Sequence, residues 1–262
     1  MTTVDERTRR RLSTGHVVEL PLDLSFAMGG VTVPARRKRL ATVLPRGLSS
    51  LAIAPGVGCV ALVGIQYHRV GRETGRAKDG ADGAAETGLD PYDEFGVIVP
   101  VVRGSRTDLP LAQLADGEVG GYVHWLPVTT DPSVALGREI WGFPKEAADV
   151  TVTDGSDRIR VTVAGDGDRE PIRLDISHPR FGPTERDWTL WSYTTKDGDL
   201  LRTKARIRGD VAFGVGSAIG TRLDAASGLA DELGVWRRPL GRLYGSNVRA
   251  RLFAGELICD DG

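Results

Sequence analysis

The chain is poor in the residues that most reactive sites are built from. Two cysteines, Cys59 and Cys259, give no disulfide framework and no thiolate cluster with metal-binding spacing, which fits a reducing cytoplasm. Four histidines, His16, His68, His124 and His178, lie far apart, with no HExxH or His-x-His pairing, so neither a metal nor a cofactor is expected. His68 and His124 fall in strand-like stretches and read as hydrogen-bonded structural groups. GxSxG is absent, as is a Gly-rich loop followed by Lys-Ser/Thr. Charge of one sign is lacking too: 34 Lys and Arg balance 35 Asp and Glu, leaving no global field for a phosphate backbone and no expectation of nucleic acid. Every apolar run is broken well short of the roughly 18 residues of a membrane span, and the charged first residues lack the pattern of a signal peptide.

Glycine and the apolar residues are plentiful. Thirty-four glycines and fourteen prolines are spread through 262 residues, 40% of which are hydrophobic, so many short segments surround a sizeable core. Strand-length runs occur at 58–66, 97–103, 149–153, 158–164, 172–177 and 247–258. Period-two patterning broken by Asp-Gly and Gly-Asp makes 149–177 a β-meander. Helices are expected at 34–44, with Leu40, Val43 and Leu44 inside and Arg36, Arg37 and Lys38 outside, and at 131–137 behind an Asp131 cap. Residues 71–93, rich in Gly, Asp and charge, read as a mobile loop. Arg202, Lys204, Arg206 and Arg208 alternate with smaller residues, as on an edge or exposed strand with a basic face. No repeat or composition break divides the chain, so one mainly-β domain over 1–262 is expected.

Chemistry concentrates at GREIWGFPKEA, where Lys145 follows Trp141, Gly142, Phe143 and Pro144. An ordinary lysine, with a pKa of about 10.4, is neutral at pH 7 in roughly one molecule in 2,500, and only the neutral amine attacks a carbonyl. Desolvation disfavours the ammonium, and Trp141 and Phe143 would supply the apolar wall. A lysine beside aromatics more often passes them to reach water, so composition alone does not decide for a nucleophile.

The same run resembles the acetoacetate decarboxylase family pattern of Gly-Arg-Glu followed by aromatic-Pro-Lys, here Gly137, Arg138, Glu139, Phe143, Pro144 and Lys145. Upstream, Gly121, Tyr122 and His124 resemble a family strand bearing glycine, tyrosine and histidine, and Tyr92, Glu94, Gly96 and Pro100 resemble its Tyr-x-Glu-x-Gly-x-x-x-Pro. The resemblance implies a two-layer β-cone or barrel, a homo-oligomer, and a Schiff base between Lys145 and a small keto acid. It also implies a proton-handling role for Glu94 and a hydrogen-bond donor in Tyr92. Tyr122, Arg138, Trp141 and Phe143 are the further pocket candidates. A buried Arg138–Glu139 pair is expected to hold the pocket wall in register.

Three positions depart from the family. Glu146 stands where the decarboxylases carry a second lysine, Val63 stands where they carry a further glutamate, and their N-terminal arginine has no evident counterpart. In an extended segment Glu146 faces away from Lys145, so the amine stays dry and uncharged. Three functions remain open: decarboxylation of a β-keto acid, aldol condensation with dehydration starting from pyruvate or a related 2-oxo acid, and a non-catalytic barrel lining an apolar ligand with Tyr122, Trp125, Trp141 and Phe143. Interface and core are not separable by sequence in 190–194 and 248–258.

Overall fold

The computed structural model describes residues 7–71, 87–105, 107, 109–167, 170–179, 184–215, 220–224 and 227–258. Strands β1 (Thr8–Arg11) and β2 (Val17–Leu20) form a two-stranded ladder. The chain then enters a ten-stranded sheet through β3 (Leu22–Arg36), β4 (Leu48–Ser50), β5 (Val57–Gly71), β6 (Gly88–Leu89), β7 (Asp93–Arg103), β8 (Glu118–Val128) and β9 (Lys145–Ala147). It leaves as the antiparallel meander β10 (Val150–Asp154), β11 (Arg158–Val163) and β12 (Ile172–Ser177), as the Asp-Gly and Gly-Asp breaks predict. Strands β13 (Thr184–Lys196) and β14 (Asp199–Val215) return to the large sheet, β15 (Thr221–Asp224) completes the four-stranded second sheet, and β16 (Gly241–Leu257) lies between β14 and β3. Pairing of β7 with β8 closes seven strands, in the order β7-β5-β3-β16-β14-β13-β8, into a barrel. Four helices complete the described elements: α1 (Arg37–Val43), α2 (Pro110–Asp116), α3 (Asp131–Trp141) and α4 (Ser227–Leu233). None is long and apolar enough to cross a membrane.

Two apolar clusters fill the molecule. One packs Val31, Val33, Leu62, Phe95 and Val97 of the large sheet against Val150, Val152, Ile159, Val161 and Leu174 of the small one. The sheets approach closely because Gly29 and Gly64, opposite each other on β3 and β5, lack side chains: a Cβ would stand 2.1 Å from Ile159 Cγ2 at the first position and 2.3 Å from Val161 Cγ2 at the second. Short branched side chains cannot swing clear, so Gly64→Ala is expected to cost about 1–3 kcal/mol, read as a lower urea midpoint with an unchanged slope. The second cluster contains no residue of the small sheet; it joins Phe26, Tyr67, Tyr92, Leu126, Leu136, Trp141 and Phe143. Between the clusters, Asp93 Oδ2 accepts from Val152 N at 2.8 Å and Gln66 Nε2 donates to Val152 O at 2.8 Å, tying the meander to β5 and β7. Burial raises the Asp93 pKa, against the opposing pull of the Val152 N–H.

Several boundaries differ from expectation. Pro34 and Ala35 belong to β3, laddered to Cys59 and Gly58, so the first helix begins only at Arg37; Leu40 is its buried residue. Of the segment read as a loop, 72–86 lies outside the described residues. Its flanks are ordered elements: Gly71 ends β5, β6 pairs with it, Tyr92 is buried and Asp93 opens β7. The basic strand β14 is interior, flanked by β13 and β16; its alternation marks an accessible face and not an edge. Arg202 there stacks 4.3 Å from the Trp191 ring centre and pairs with Glu118 and Glu256. The aromatic and branched runs divide, with Tyr193 and Val248 buried while Leu190 is exposed. Cys59 is a free, buried thiol whose pKa burial pushes up to about 11, and Cys259 lies outside the described residues.

Candidate active site

The reactive segment is shaped by the end of α3. Thr130, and not Asp131, is the cap, accepting from Ser133 N with Pro132 in the first turn. The helix runs four residues beyond the expected stop at Gly137, so Gly137, Arg138 and Glu139 all lie within it. Gly142 ends it in the left-handed region (φ 64°), donating back to Arg138 O. The chain then reverses through Phe143 and Pro144 into β9, parallel to β8 with Lys145 beside Leu126. This return lays the lysine stem across the helix at Gly137, where a Cβ would stand 2.5 Å from Lys145 Cδ. Arg138 Nε holds the Lys145 carbonyl at 2.6 Å.

Register brings the acid to the amine. Glu94 on β7 sits opposite Val128 of β8, two residues along from Leu126, so β7 and β9 deliver Glu94 and Lys145 from either side of one strand. Both residues are only 4% exposed. Lys145 Nζ lies 2.7 Å from Glu94 Oε2 and donates to the Tyr92 hydroxyl at 3.0 Å, with the Tyr92 ring centre 5.0 Å away. The Glu94 contact is an ion pair without hydrogen-bond geometry, which leaves Oε2 a buried acceptor lacking a hydrogen-bonded donor. Tyr67 donates to the other oxygen, Oε1, at 3.4 Å and packs on Tyr92 with ring centres 4.6 Å apart. The amine is therefore dry, as its surroundings predict, but it is not solitary, and its partner acid is Glu94.

Glu146 faces away along the extended β9 and accepts from Trp125 Nε1 at 2.6 Å. Burial first, and then the Glu94 charge, hold the Tyr67 and Tyr92 phenols well above the usual tyrosine range, so both remain donors at neutral pH. Unfolded tyrosines ionise near pH 10. Above that pH the unfolded chain has released protons that the folded chain still holds, so stability complete below about pH 10 declines as pH rises. Urea titrations from pH 8 to 11 should record this decline, with a shallower slope in Tyr92→Phe.

The remaining candidates separate. Trp141 and Phe143 stack at 5.6 Å in the same apolar cluster as Tyr67 and Tyr92, and Trp141 Nε1 is fixed on Phe253 O at 2.7 Å. Tyr122 and Trp125 pack on the other cluster, so the structure does not bring Tyr122 to the amine. Arg138 is exposed and acts on the Lys145 backbone, while Glu139 accepts from Ser13. The expected buried Arg138–Glu139 pair is thus replaced by two separate anchors, because successive helical residues diverge around the axis. His124 Nε2 lies 3.2 Å from Glu232 and His68 is exposed. Among the described residues no three His, Cys, Asp or Glu side chains cluster as metal ligands would. Sequence reasoning missed Tyr67; its signal was its inward place in the alternation of Val63, Ile65 and Tyr67, overshadowed by the neighbouring His68.

The sequence pattern of the family described as acetoacetate decarboxylase (ADC) matches residues 18–181. Acetoacetate decarboxylase 2 of Mesorhizobium japonicum is 33% identical over 88 residues, 34% of this chain and 28% of that protein. Acetoacetate decarboxylase of Bordetella avium is 34% identical over 88 residues, 34% of this chain and 29% of that protein. The matched segment therefore spans less than a third of either relative. Among solved structures, the enduracididine biosynthesis enzyme MppR complexed with pyruvate superposes with a TM-score of 0.60 at 16% identity, covering 92% of this chain and 91% of the other. Acetoacetate decarboxylase from Legionella pneumophila superposes with a TM-score of 0.57 at 17% identity, covering 92% and 88%. At these identities the superpositions establish the fold alone.

Proposed function

The chain belongs to the acetoacetate decarboxylase family, and on that premise we propose that it is a carbon–carbon lyase whose Lys145 forms an imine with a small keto acid. The carrying observation is a buried amine 2.7 Å from the Glu94 carboxylate and 3.0 Å from the Tyr92 hydroxyl. Transfer of one ammonium proton to Glu94 leaves a neutral nucleophile without moving charge out to water. Nζ attacks the ketone carbon as the C=O pair moves to oxygen. Glu94 passes two protons from nitrogen to that oxygen, one after the other. Water departs, and a protonated imine remains. With a β-keto acid, the iminium takes up the C–C bonding pair as CO2 leaves; the enamine is then protonated at carbon and hydrolysed. Tyr92 is placed to donate to the reacting atoms.

A second reading starts from pyruvate or a related 2-oxo acid: the imine loses a carbon-bound proton, the enamine adds to an aldehyde, and water is eliminated. The pyruvate complex of a protein with the same fold favours keeping it. The ligand-binding-barrel reading loses its support, since Tyr122 and Trp125 line a different cluster from Trp141 and Phe143.

Self-association in the cytoplasm is part of the same proposal. Among the described residues β13 pairs with β8 only at Ser192 and Tyr193, which leaves the strand from Thr184 to Trp191 open along that edge, with Leu190 49% exposed. A monomer by sedimentation equilibrium would contradict it.

Reduction with cyanoborohydride in the presence of acetoacetate, acetopyruvate or pyruvate tests the chemistry. The protein mass should rise by one reduced adduct, whose size identifies the acid that entered. An unchanged mass with all three would overturn the proposal.

A further inference from the structure

Lys145, Tyr92, Tyr67 and Glu94 gather four proton-carrying groups in one buried cluster. Lys145 Nζ donates to the Tyr92 oxygen at 3.0 Å, Tyr67 donates to Glu94 Oε1 at 3.4 Å, and Glu94 Oε2 lies 2.7 Å from Nζ. A phenol has one proton to give. The Tyr67 proton is committed to Glu94 Oε1, while the carboxylate meets the amine with its other oxygen. The Tyr67 ring is held by Phe26 at 5.4 Å and Tyr92 at 4.6 Å. Its ring position is thus fixed by packing, and its hydroxyl is available to fix something else.

We propose that Tyr67 is a positioning residue for imine formation, holding Glu94 Oε1 so that Oε2 stays aimed at the amine it must deprotonate. The inference rests on the imine-forming role of Lys145. In each transfer the proton leaves Nζ for Oε2 and then passes to the former carbonyl oxygen. Tyr67 exchanges no net proton; it restricts the rotation of the carboxylate that would carry Oε2 off line. Such an effect falls on the rate of the step and not on substrate capture, because the Tyr67 hydroxyl bonds Glu94, while Nζ itself donates to Tyr92.

The experiment measures cyanoborohydride trapping of pyruvate and of acetoacetate, as a function of keto-acid concentration, in the unaltered protein, Tyr67→Phe and Phe26→Leu. Tyr67→Phe should lower the maximal trapping rate at least about 10-fold and leave the half-saturating concentration within about twofold. Phe26→Leu loosens the same packing but keeps the hydroxyl. It should lower the melting temperature at least as much as Tyr67→Phe and hold the maximal rate within about twofold. If Tyr67→Phe traps at the unaltered rate, or Phe26→Leu reproduces its rate loss, Tyr67 is a packing residue only and the inference falls while the imine reading stands. If the unaltered protein gives no adduct with either acid, the imine reading falls and takes this inference with it.

Discussion

Replacing Lys145 by Met should abolish reductive trapping completely and destabilise the protein by about 3–5 kcal/mol, because it leaves the Glu94 carboxylate 4% exposed with its cation gone. A merely solvated lysine would cost next to nothing to remove. The double variant Lys145→Met with Glu94→Gln should recover most of that stability, since no buried charge remains unpaired, and recover none of the trapping. Urea unfolding of the single and double variants, beside intact-mass measurements, checks both halves. Full stability in the single variant would mean that the pair is not a buried charge pair in solution.

Gly137→Ala should act in the opposite way, with little change in stability and a large loss of rate. The added Cβ would stand 2.5 Å from Cδ, 2.8 Å from Cε and 2.9 Å from Cγ of Lys145. These atoms belong to a flexible stem that can move aside. Alanine also improves the helix by about 1 kcal/mol, which offsets part of the crowding. The cost falls on aim: an amine displaced by about 1 Å from Glu94 and Tyr92 should form its imine about 100-fold more slowly. Gly64→Ala is the counterpart, because its Cβ meets Val161 between the sheets and should lower stability while sparing the rate. A Gly137→Ala protein that traps at the unaltered rate would show that the close passage of the stem is not needed.

The strands were legible wherever one face is buried and the other wet. The meander from Val150 to Ser177 alternates cleanly and breaks at Asp-Gly, and the structure follows it within a residue or two. Lys145 was legible from its aromatic neighbours together with the motif around it. What eluded the sequence depends on distant partners. Gly137 looks like a helix terminator, yet its missing side chain makes room for the lysine stem, and Gly142 performs the termination. The charge alternation of β14 reports an accessible face but is silent on whether other strands flank it. The polar composition around Tyr92 suggests a loop, although its ring is buried between Tyr67 and the amine. Tyr67 itself reaches Glu94 only through the register of β3, β5 and β7, which shifts by a residue between Ser25 and Phe26.

In the proposed chemistry one amine, Lys145, is the nucleophile. Peptide mapping of the protein after reduction with the keto acid that labels it locates the modified residue. A single reduced adduct is expected, confined to the peptide carrying Lys145 and complete at one equivalent per chain. Label spread over Lys196, Lys204 and other accessible lysines, with Lys145 unmodified, would contradict it.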